Sequence, residues 1–283
     1  MTSAVGKLAE TPSGKGSSDE NFPVGSLLLP ARLRPHIALF YAYARAIDDI
    51  ADNPALPPED KLSRLEGFAQ AIQGETNDPA YAKGIAIRNS LHAAGITTQH
   101  CLDLISAFKQ DAVKNRYADW GELISYCDRS AAPVGRYFLD LHEESRAGYP
   151  AADALCNALQ IINHLQDCKG DYQSLDRVYL PMDWMTEAGA GIADLDADTA
   201  SPAMRRVLDR CLDGVERLLA QARLLPPSLR SRRLAMESSA IVVIAERLTD
   251  MLRRRDPIAG RVELGKAAFL WCCLRGAARS LFR

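Results

Sequence analysis

The sequence lacks most of the short motifs that identify a class of enzyme by themselves. Its 283 residues contain no Gly-x-x-x-x-Gly-Lys-Ser/Thr loop, no Gly-x-Ser-x-Gly and no His-Glu-x-x-His, and no Gly-x-Gly-x-x-Gly follows a strand pattern. P-loop, α/β-hydrolase, zinc-protease and dinucleotide-dependent hydride chemistry are therefore not expected.

Charge and cysteine usage exclude two further classes of function. The net charge is −2, so the chain has no overall basic footprint for nucleic acid. The seven cysteines include no Cys-x-x-Cys pair and lie mostly in apolar helical patterns. This usage favours reduced, buried thiols in a cytosolic protein over a disulfide or zinc framework.

Hydrophobic runs are too short to span a membrane. No stretch reaches the roughly 18 uninterrupted apolar residues that a spanning helix needs. Residues 1–18 are rich in Ser, Gly, Thr and Lys and have no apolar core of signal-peptide length. We expect a disordered segment there and a folded domain over residues 19–283 of a cytoplasmic chain.

The remaining pattern is helical nearly throughout and predicts a single-domain, all-α fold. Alternating strand patterns are absent, and no repeat or linker divides the chain. The predicted helices are 33–52, 61–73, 82–94, 98–114, 120–142 with a bend near Pro133, 151–170, 202–224, 228–254 and 264–282. The predicted loops are 53–58, 74–79, 171–181 and 187–200.

The first predicted helix carries a polar stripe near its end. Asp48 and Asp52 are four residues apart and therefore share one helix face. Tyr41 and Arg45 lie on the same face, and Pro54 ends the helix soon after. We call these four residues (Tyr41, Arg45, Asp48, Asp52) the first stripe.

A second stripe runs along helix 151–170. Gln160, Asn163, Asp167 and Asp171 fall at i, i+3, i+7 and i+11 in an otherwise apolar helix. One pair of carboxylates at i, i+4 is most often a solvated face, but buried carboxylates need an offsetting partner. Mg²⁺ binds one or two carboxylates together with phosphate oxygens. Two stripes in one chain therefore favour a shared magnesium–diphosphate site.

At these residues the chain resembles the squalene/phytoene synthase family of isoprenoid synthases. The similarity is carried by four segments in order along residues 21–255. They are Leu28-Leu-Pro, Tyr41-Ala-Tyr-Ala-Arg-Ala-Ile-Asp-Asp-Ile-Ala-Asp, Tyr126-Cys-Asp-Arg-Ser-Ala-Ala-Pro-Val-Gly, and Gln160-Ile-Ile-Asn-His-Leu-Gln-Asp-Cys-Lys-Gly-Asp followed by Arg177-Val-Tyr-Leu-Pro. The resemblance implies a helical bundle around a central cavity.

The resemblance also implies roles for individual residues. The implied Mg²⁺ ligands are Asp48, Asp52, Asn163, Asp167 and Asp171. The implied substrate-binding residues are Arg45, Gln160, Tyr43, Arg177, Tyr179, Val134 and Gly135. Tyr41, Tyr43 and Tyr126 would stabilise a carbocation through their ring faces. For Arg177 and Tyr179 an ordinary Pro-ended loop is an equal alternative.

Some details are similar to the bacterial hydroxysqualene synthase branch of hopanoid biosynthesis. They are Glu20-Asn-Phe-Pro-Val-Gly-Ser, Ser130-Ala-Ala-Pro-Val-Gly-Arg, and Gln166 and Gly170 where condensing members often carry Arg and Glu. This resemblance implies presqualene diphosphate as substrate, with functional coupling to a presqualene diphosphate synthase and a squalene-forming reductase. Two rivals stay open: a head-to-head prenyltransferase, and a non-catalytic partner of a synthase.

The last predicted helix mixes apolar and basic residues from Lys266 onwards. Two interpretations are open for it. It is either a core helix, which the composition slightly favours, or a helix that makes peripheral contact with a membrane surface.

Overall fold

The computed structural model describes residues 9–12 and 29–281, and these are helical almost throughout, which confirms the predicted all-α fold. The helices are α1 (Arg34–Ala51), α2 (Pro58–Gln73), α3 (Ala82–Ala94), α4 (Gln99–Asp111), α5 (Trp120–Ser130), α6 (Ala132–Leu141), α7 (Tyr149–Leu175), α8 (Met182–Ala188), α9 (Pro202–Ala222), α10 (Leu225–Ser228), α11 (Arg232–Arg254) and α12 (Lys266–Leu281). Short 3₁₀ turns lie at Pro79–Tyr81, Arg146–Gly148 and Ile192–Asp196.

The chain forms two compact units, Met1–Val113 and Lys114–Arg283. In the first unit, α1 packs on α2, α3 and α4. α1 begins with a proline in its first turn, where the missing N–H has no helical acceptor in any case. It buries Ile37, Phe40, Ile47 and Ile50 at helical spacing, so the opposite edge of the helix is left for the first stripe.

In the second unit, α7 packs against α5, α6, α9 and α11. Its apolar residues face these neighbours on several sides, and Leu155, Ile161, Ile162 and Leu165 are buried. α12 packs along α11. The second stripe therefore lies on the longest helix of this unit.

Two elements of this unit differ from the sequence prediction. The single helix predicted over 120–142 is two helices, because the backbone leaves helical geometry at Ala131, two residues before Pro133. The predicted loop 171–181 is wrong, because α7 continues past Gly170 to Leu175.

One short pair of strands was not predicted from the sequence. β1 (Arg116–Tyr117) and β2 (Val178–Pro181) form a small parallel pair, and two residues separate the end of α7 from β2. Asp176 makes the connection with a positive φ of 52°. β1 has two residues, too few for an alternating pattern to be visible in the sequence.

The predicted disordered segment 1–18 lies largely outside the described residues, as do residues 20–28 of two of the quoted motifs, and those predictions stay open. Residues 9–12 are described and pack within the first unit. The backbone N–H of Ala9 donates to the carbonyl of Ala80, and the Thr11 hydroxyl donates to the carbonyl of Asp49 over 3.0 Å.

Candidate active site

The first stripe forms a connected row of side chains on α1. The guanidinium of Arg45 lies over the ring of Tyr41, 5.9 Å from its centroid. The Nη1 of Arg45 donates to Oδ2 of Asp48 over 2.7 Å. Asp52 is the C-cap residue, one turn further along the same face. The predicted order of aromatic ring, cation and two carboxylates is therefore present at the end of the helix.

The electrostatics of the first stripe favour a bound cation. About 30% of the Asp48 side chain remains exposed, yet desolvation by the surrounding protein raises the pKa of this carboxyl well above its usual value. The neighbouring Asp52 raises it further, and Arg45 opposes both effects only in part. Asp48 and Asp52 place hard oxygen donors one helical turn apart, and such donors are suited to a divalent ion such as Mg²⁺.

Tyr43 lies away from the first stripe, inside the first unit. Its side chain is fully buried, its hydroxyl donates to the carbonyl of Cys101 over 2.8 Å, and its ring contacts Phe68. This placement favours a structural role, and a substrate contact of Tyr43 stays a prediction.

The second stripe is the accessible edge of α7. Gln160, Asn163, Asp167 and Asp171 are all half-buried, whereas the residues between them on the helix are mostly buried. α7 continues beyond Asp171 to Leu175, so this carboxylate projects from a formed turn and not from the helix end that Gly170 predicted. Its rotamer is therefore restrained by the helical backbone on both sides.

Asp167 has a partner that the sequence did not reveal. Arg261, in the segment between α11 and α12, places its Nε 3.1 Å from Oδ1 and its Nη2 3.3 Å from Oδ2 of Asp167. The adjacent Gln166 is buried, and its side-chain amide donates to the carbonyl of Val262. Gln166 stands where condensing members often carry Arg, and its amide is directed to the backbone of this segment.

A buried aromatic cluster lies beside the second stripe. His164 stacks on Tyr179 with ring centroids 3.6 Å apart, and Tyr126 and Tyr117 pack against the same tyrosine at 5.6 and 5.5 Å. Tyr126 and Tyr179 were predicted site residues, and the structure brings them together in the second unit. The stacked position of His164 gives it a packing role in this cluster.

The charge state of this cluster follows from its burial. Desolvation lowers the pKa of His164 to about 3, and the guanidinium of Arg177 contributes to the same shift. The imidazole is therefore neutral at physiological pH. Its Nε2 has no hydrogen-bond partner among the described residues. Arg177 is itself buried, and its backbone N–H donates to the carbonyl of Asp171, which joins the aromatic cluster to the end of the second stripe.

Gly135 has a packing reason to be glycine. A Cβ at this position would lie 2.9 Å from the sulfur of Cys156 and 3.3 Å from the Cβ of Ala152 on α7. The neighbouring Val134 is half-buried. Their predicted substrate contacts stay predictions, and the geometry shows that Gly135 allows α6 to approach α7 closely.

Each stripe supplies two carboxylates of its own. Within residues 9–12 and 29–281, no three His, Cys, Asp or Glu side chains are placed together as a metal-binding group. Mg²⁺ usually keeps several water ligands and binds one or two carboxylates plus substrate phosphates, so either stripe alone offers the carboxylate number that this ion takes.

Comparison with known proteins places this geometry in a family. The squalene/phytoene synthase family matches residues 16–267 of the chain. The hydroxysqualene synthase of Zymomonas mobilis is 41% identical over 95% of this chain and 91% of its own length, and that of Rhodopseudomonas palustris is 43% identical over 95% and 90%. In each case both chains are covered almost completely.

A solved structure shows the same fold. Squalene synthase HpnC from Alicyclobacillus acidocaldarius superposes with a TM-score of 0.71 at 31% identity, over 82% of this chain and 87% of that one. A dehydrosqualene synthase gives a TM-score of 0.76 at 20% identity. The latter similarity concerns the fold alone.

Proposed function

The chain belongs to the squalene/phytoene synthase family, and from this premise we propose that it is a hydroxysqualene synthase. In the proposed reaction, the C–O bond of presqualene diphosphate breaks and diphosphate leaves with the electron pair. The resulting cyclopropylcarbinyl cation rearranges, water adds to it, and loss of one proton gives hydroxysqualene. The enzyme would thus be a carbon–oxygen lyase acting on a phosphate ester.

The observation that carries this proposal is the level of identity to particular relatives. The two relatives named above as hydroxysqualene synthases share 41% and 43% of their residues with this chain. Relatives named as phytoene synthases share 27% to 30%. The intact carboxylate stripes support an enzyme over a non-catalytic partner, because a scaffold has no use for two pairs of half-buried carboxylates on the edges of two helices.

We propose that five residues hold Mg²⁺: Asp48, Asp52, Asn163, Asp167 and Asp171. Bound Mg²⁺ would act as a Lewis acid that neutralises charge on the leaving diphosphate. The fit rests on the donor set of carboxylate and amide oxygens and on the raised pKa of Asp48, which results first from desolvation of this carboxyl and then from the nearby charge of Asp52.

The remaining residues of the stripes would bind and orient the substrate. Arg45 has a fork of donors that matches phosphate oxygens, and its present partner, Asp48, holds it at the end of α1. Gln160 would orient a phosphate oxygen or a water molecule. Tyr41 and Tyr126 present ring faces, each of which stabilises a nearby cation by about 0.5–2 kcal/mol.

The proposal includes partners that supply and consume the lipid intermediates. One enzyme must form presqualene diphosphate from two prenyl diphosphates, and a reductase must convert hydroxysqualene to squalene. No helix in the described part of the chain is long and apolar enough to cross a bilayer. A cytoplasmic enzyme that contacts the membrane peripherally through its C-terminal helix fits these C30 lipids.

One experiment separates the proposed function from its rivals. Purified protein with Mg²⁺ and without NADPH is incubated with either presqualene diphosphate or farnesyl diphosphate, and the C30 products are identified by mass spectrometry. We expect hydroxysqualene from presqualene diphosphate and no product from farnesyl diphosphate. Formation of presqualene diphosphate from farnesyl diphosphate would establish the prenyltransferase instead, and no turnover of either substrate would favour the scaffold.

A further inference from the structure

The outward face of α12 carries a row of exposed apolar side chains. Leu270 is 60% exposed, Trp271 57% and Leu274 62%. Large apolar residues exposed singly are normal on a protein surface, but neighbouring ones on one helix face are typical of an interaction site.

Packing on the opposite face of α12 keeps the apolar row directed outward. Cys272 and Gly276 are buried, and Gly276 lies so close to α11 that a Cβ there would be 2.3 Å from the Cα of Ala240. The helix therefore cannot turn its apolar row inward without separating from α11. One face of α12 packs on α11, as predicted for a core helix, and the other face is exposed, whereas contact of this helix with a membrane stays a prediction.

Basic residues border the apolar row on both sides. At 100° per residue, Leu270, Leu274 and Trp271 fall within an arc of about 100° on the helix circumference. Lys266 lies at one edge of this arc, and Arg275 lies at the other, with its guanidinium 5.1 Å from the ring centroid of Trp271. The sequence of α12 contains no Asp or Glu.

The surface beside α12 is also rich in arginine. A cavity of about 900 Å³ lies between α10, α11 and α12, and Arg223, Arg232 and Arg279 line it. Glu246 accepts from both Arg223 and Arg279, so one carboxylate offsets part of this charge. Trp271 and Arg275 line a neighbouring groove together with the acidic residues Glu216, Glu246 and Asp250. The basic charge at the apolar row itself therefore comes from Lys266 and Arg275 on α12.

We propose that this face of α12 is a docking surface for a bilayer that contains anionic lipids. The face has Trp and Leu in its centre and cations at both edges, as interfacial amphipathic helices do. In such helices the apolar side chains enter the boundary of the acyl chains, and the cations contact headgroup phosphates. A second copy of the chain is a poorer occupant, because a two-fold contact between two α12 faces would bring like-charged edges together.

This inference deepens the membrane contact included in the proposed function, and it places the lipid-binding residues outside both carboxylate stripes. The test uses the full chain without substrate. The protein is co-sedimented with vesicles of phosphatidylcholine alone and with vesicles that contain phosphatidylglycerol. We expect binding to the anionic vesicles and a loss of at least roughly tenfold in the partition coefficient for the triple variant Leu270→Ser, Trp271→Ser, Leu274→Ser.

Two further variants make the outcome specific. Val113→Ser removes an equally exposed apolar side chain in the other compact unit and should leave binding unchanged. Lys266→Gln with Arg275→Gln should reduce the preference for anionic vesicles by roughly tenfold, since each cation near the surface contributes to attraction. Circular dichroism checks that all variants keep their helical content.

The proposal is overturned if wild type and the triple variant bind the anionic vesicles equally. It is also overturned if wild type binds vesicles with and without phosphatidylglycerol equally. A wild-type dimer in gel filtration that the triple variant abolishes would assign the face to a second copy. Hydroxysqualene formation from detergent-dispersed substrate is assayed separately. A chain that binds vesicles but makes no hydroxysqualene contradicts the proposed function and leaves this inference standing.

Discussion

Arg261 binds the carboxylate of Asp167 through two nitrogens: Nε lies 3.1 Å from Oδ1 and Nη2 lies 3.3 Å from Oδ2. These residues are 94 positions apart in the sequence. The contact joins the segment between α11 and α12 to Asp167, a proposed metal ligand on α7. The neighbouring hydrogen bond from Gln166 to the carbonyl of Val262 joins the same segment to α7 a second time. In the protein without substrate, Arg261 therefore competes with any cation for Asp167.

The first prediction concerns this competition. Arg261→Gln should raise the affinity for Mg²⁺ in the absence of substrate, because the carboxylate of Asp167 loses its internal counter-ion. The Arg261 and Asp167 side chains are 53% and 37% exposed, so the pair contributes about 1 kcal/mol or less, which corresponds to an increase of about fivefold at most.

Isothermal titration with Mg²⁺ measures this change directly. Arg254→Gln is the matched control, because Arg254 is an exposed arginine at the end of the preceding helix α11. An unchanged or weaker Mg²⁺ affinity in Arg261→Gln would show that Arg261 does not compete for the site.

The second prediction concerns Asp48→Asn, which should raise the stability of the metal-free protein and lower its activity. Its raised pKa means that the folded chain binds a proton there more readily than the unfolded chain. The free energy of unfolding therefore falls as pH rises from the usual Asp range through the raised pKa. Asp48→Asn removes this dependence, and its amide oxygen can still accept from Arg45.

We therefore expect metal-free Asp48→Asn to melt at a higher temperature than wild type at neutral pH, with the advantage lost near pH 4. Turnover of presqualene diphosphate should fall by at least about 100-fold. Asp250→Asn, an exposed carboxylate on α11, controls for a general effect of charge. Near-normal turnover of Asp48→Asn would remove Asp48 from the metal ligands.

Much of the fold and both stripes could be predicted from sequence, because they depend on local periodicity. The predicted limits of α3 agree with the structure, and the register that groups Asp48 with Asp52, or Asn163 with Asp167, follows directly from 3.6 residues per turn.

What sequence reasoning missed depends on contacts far along the chain. Gly170 resembles a helix stop, but α7 continues past it to Leu175, because a single glycine lowers helix propensity by only about 1 kcal/mol and does not by itself end a helix. Arg261 carries no local signal that directs it to Asp167. The stack of His164 on Tyr179 requires that β2 return beside α7, which no periodic pattern reveals.

The third prediction tests the neutral state of His164. Its folded pKa of about 3 lies below the usual 6.5, so the unfolded chain binds the proton more readily. Stability from this group is present above pH 6.5 and is lost as pH falls toward 3. Phe at this position keeps an aromatic ring against Tyr179 and cannot be protonated.

Comparing His164→Phe with wild type measures how much of the pH dependence of stability comes from His164. Between pH 7 and pH 5, the free energy of unfolding of wild type in urea should fall relative to that of the variant by about 2 kcal/mol. Tyr179→Phe retains the imidazole and should follow the wild-type pH dependence. Parallel pH curves for wild type and His164→Phe would show that His164 is solvated in the folded protein.

The last prediction uses two glycines inside helices, for which the same substitution should have opposite effects. At Gly170 on α7 a Cβ would meet no atom within 4 Å, whereas at Gly276 on α12 it would lie 2.3 Å from the Cα of Ala240. Alanine in an unobstructed helix position restricts the unfolded chain and raises helix propensity, so Gly170→Ala should stabilise the protein by about 0.5–1 kcal/mol. At Gly276 the new methyl group meets backbone that cannot rotate away, so Gly276→Ala should destabilise the protein by about 1–3 kcal/mol despite the same gain in helix propensity.

Urea unfolding of both variants measures whether the free energy of unfolding rises for Gly170→Ala and falls for Gly276→Ala. Equal stabilisation by both would mean that α12 does not pack on α11 at Gly276, and the fixed outward orientation of Trp271 would then lose its support.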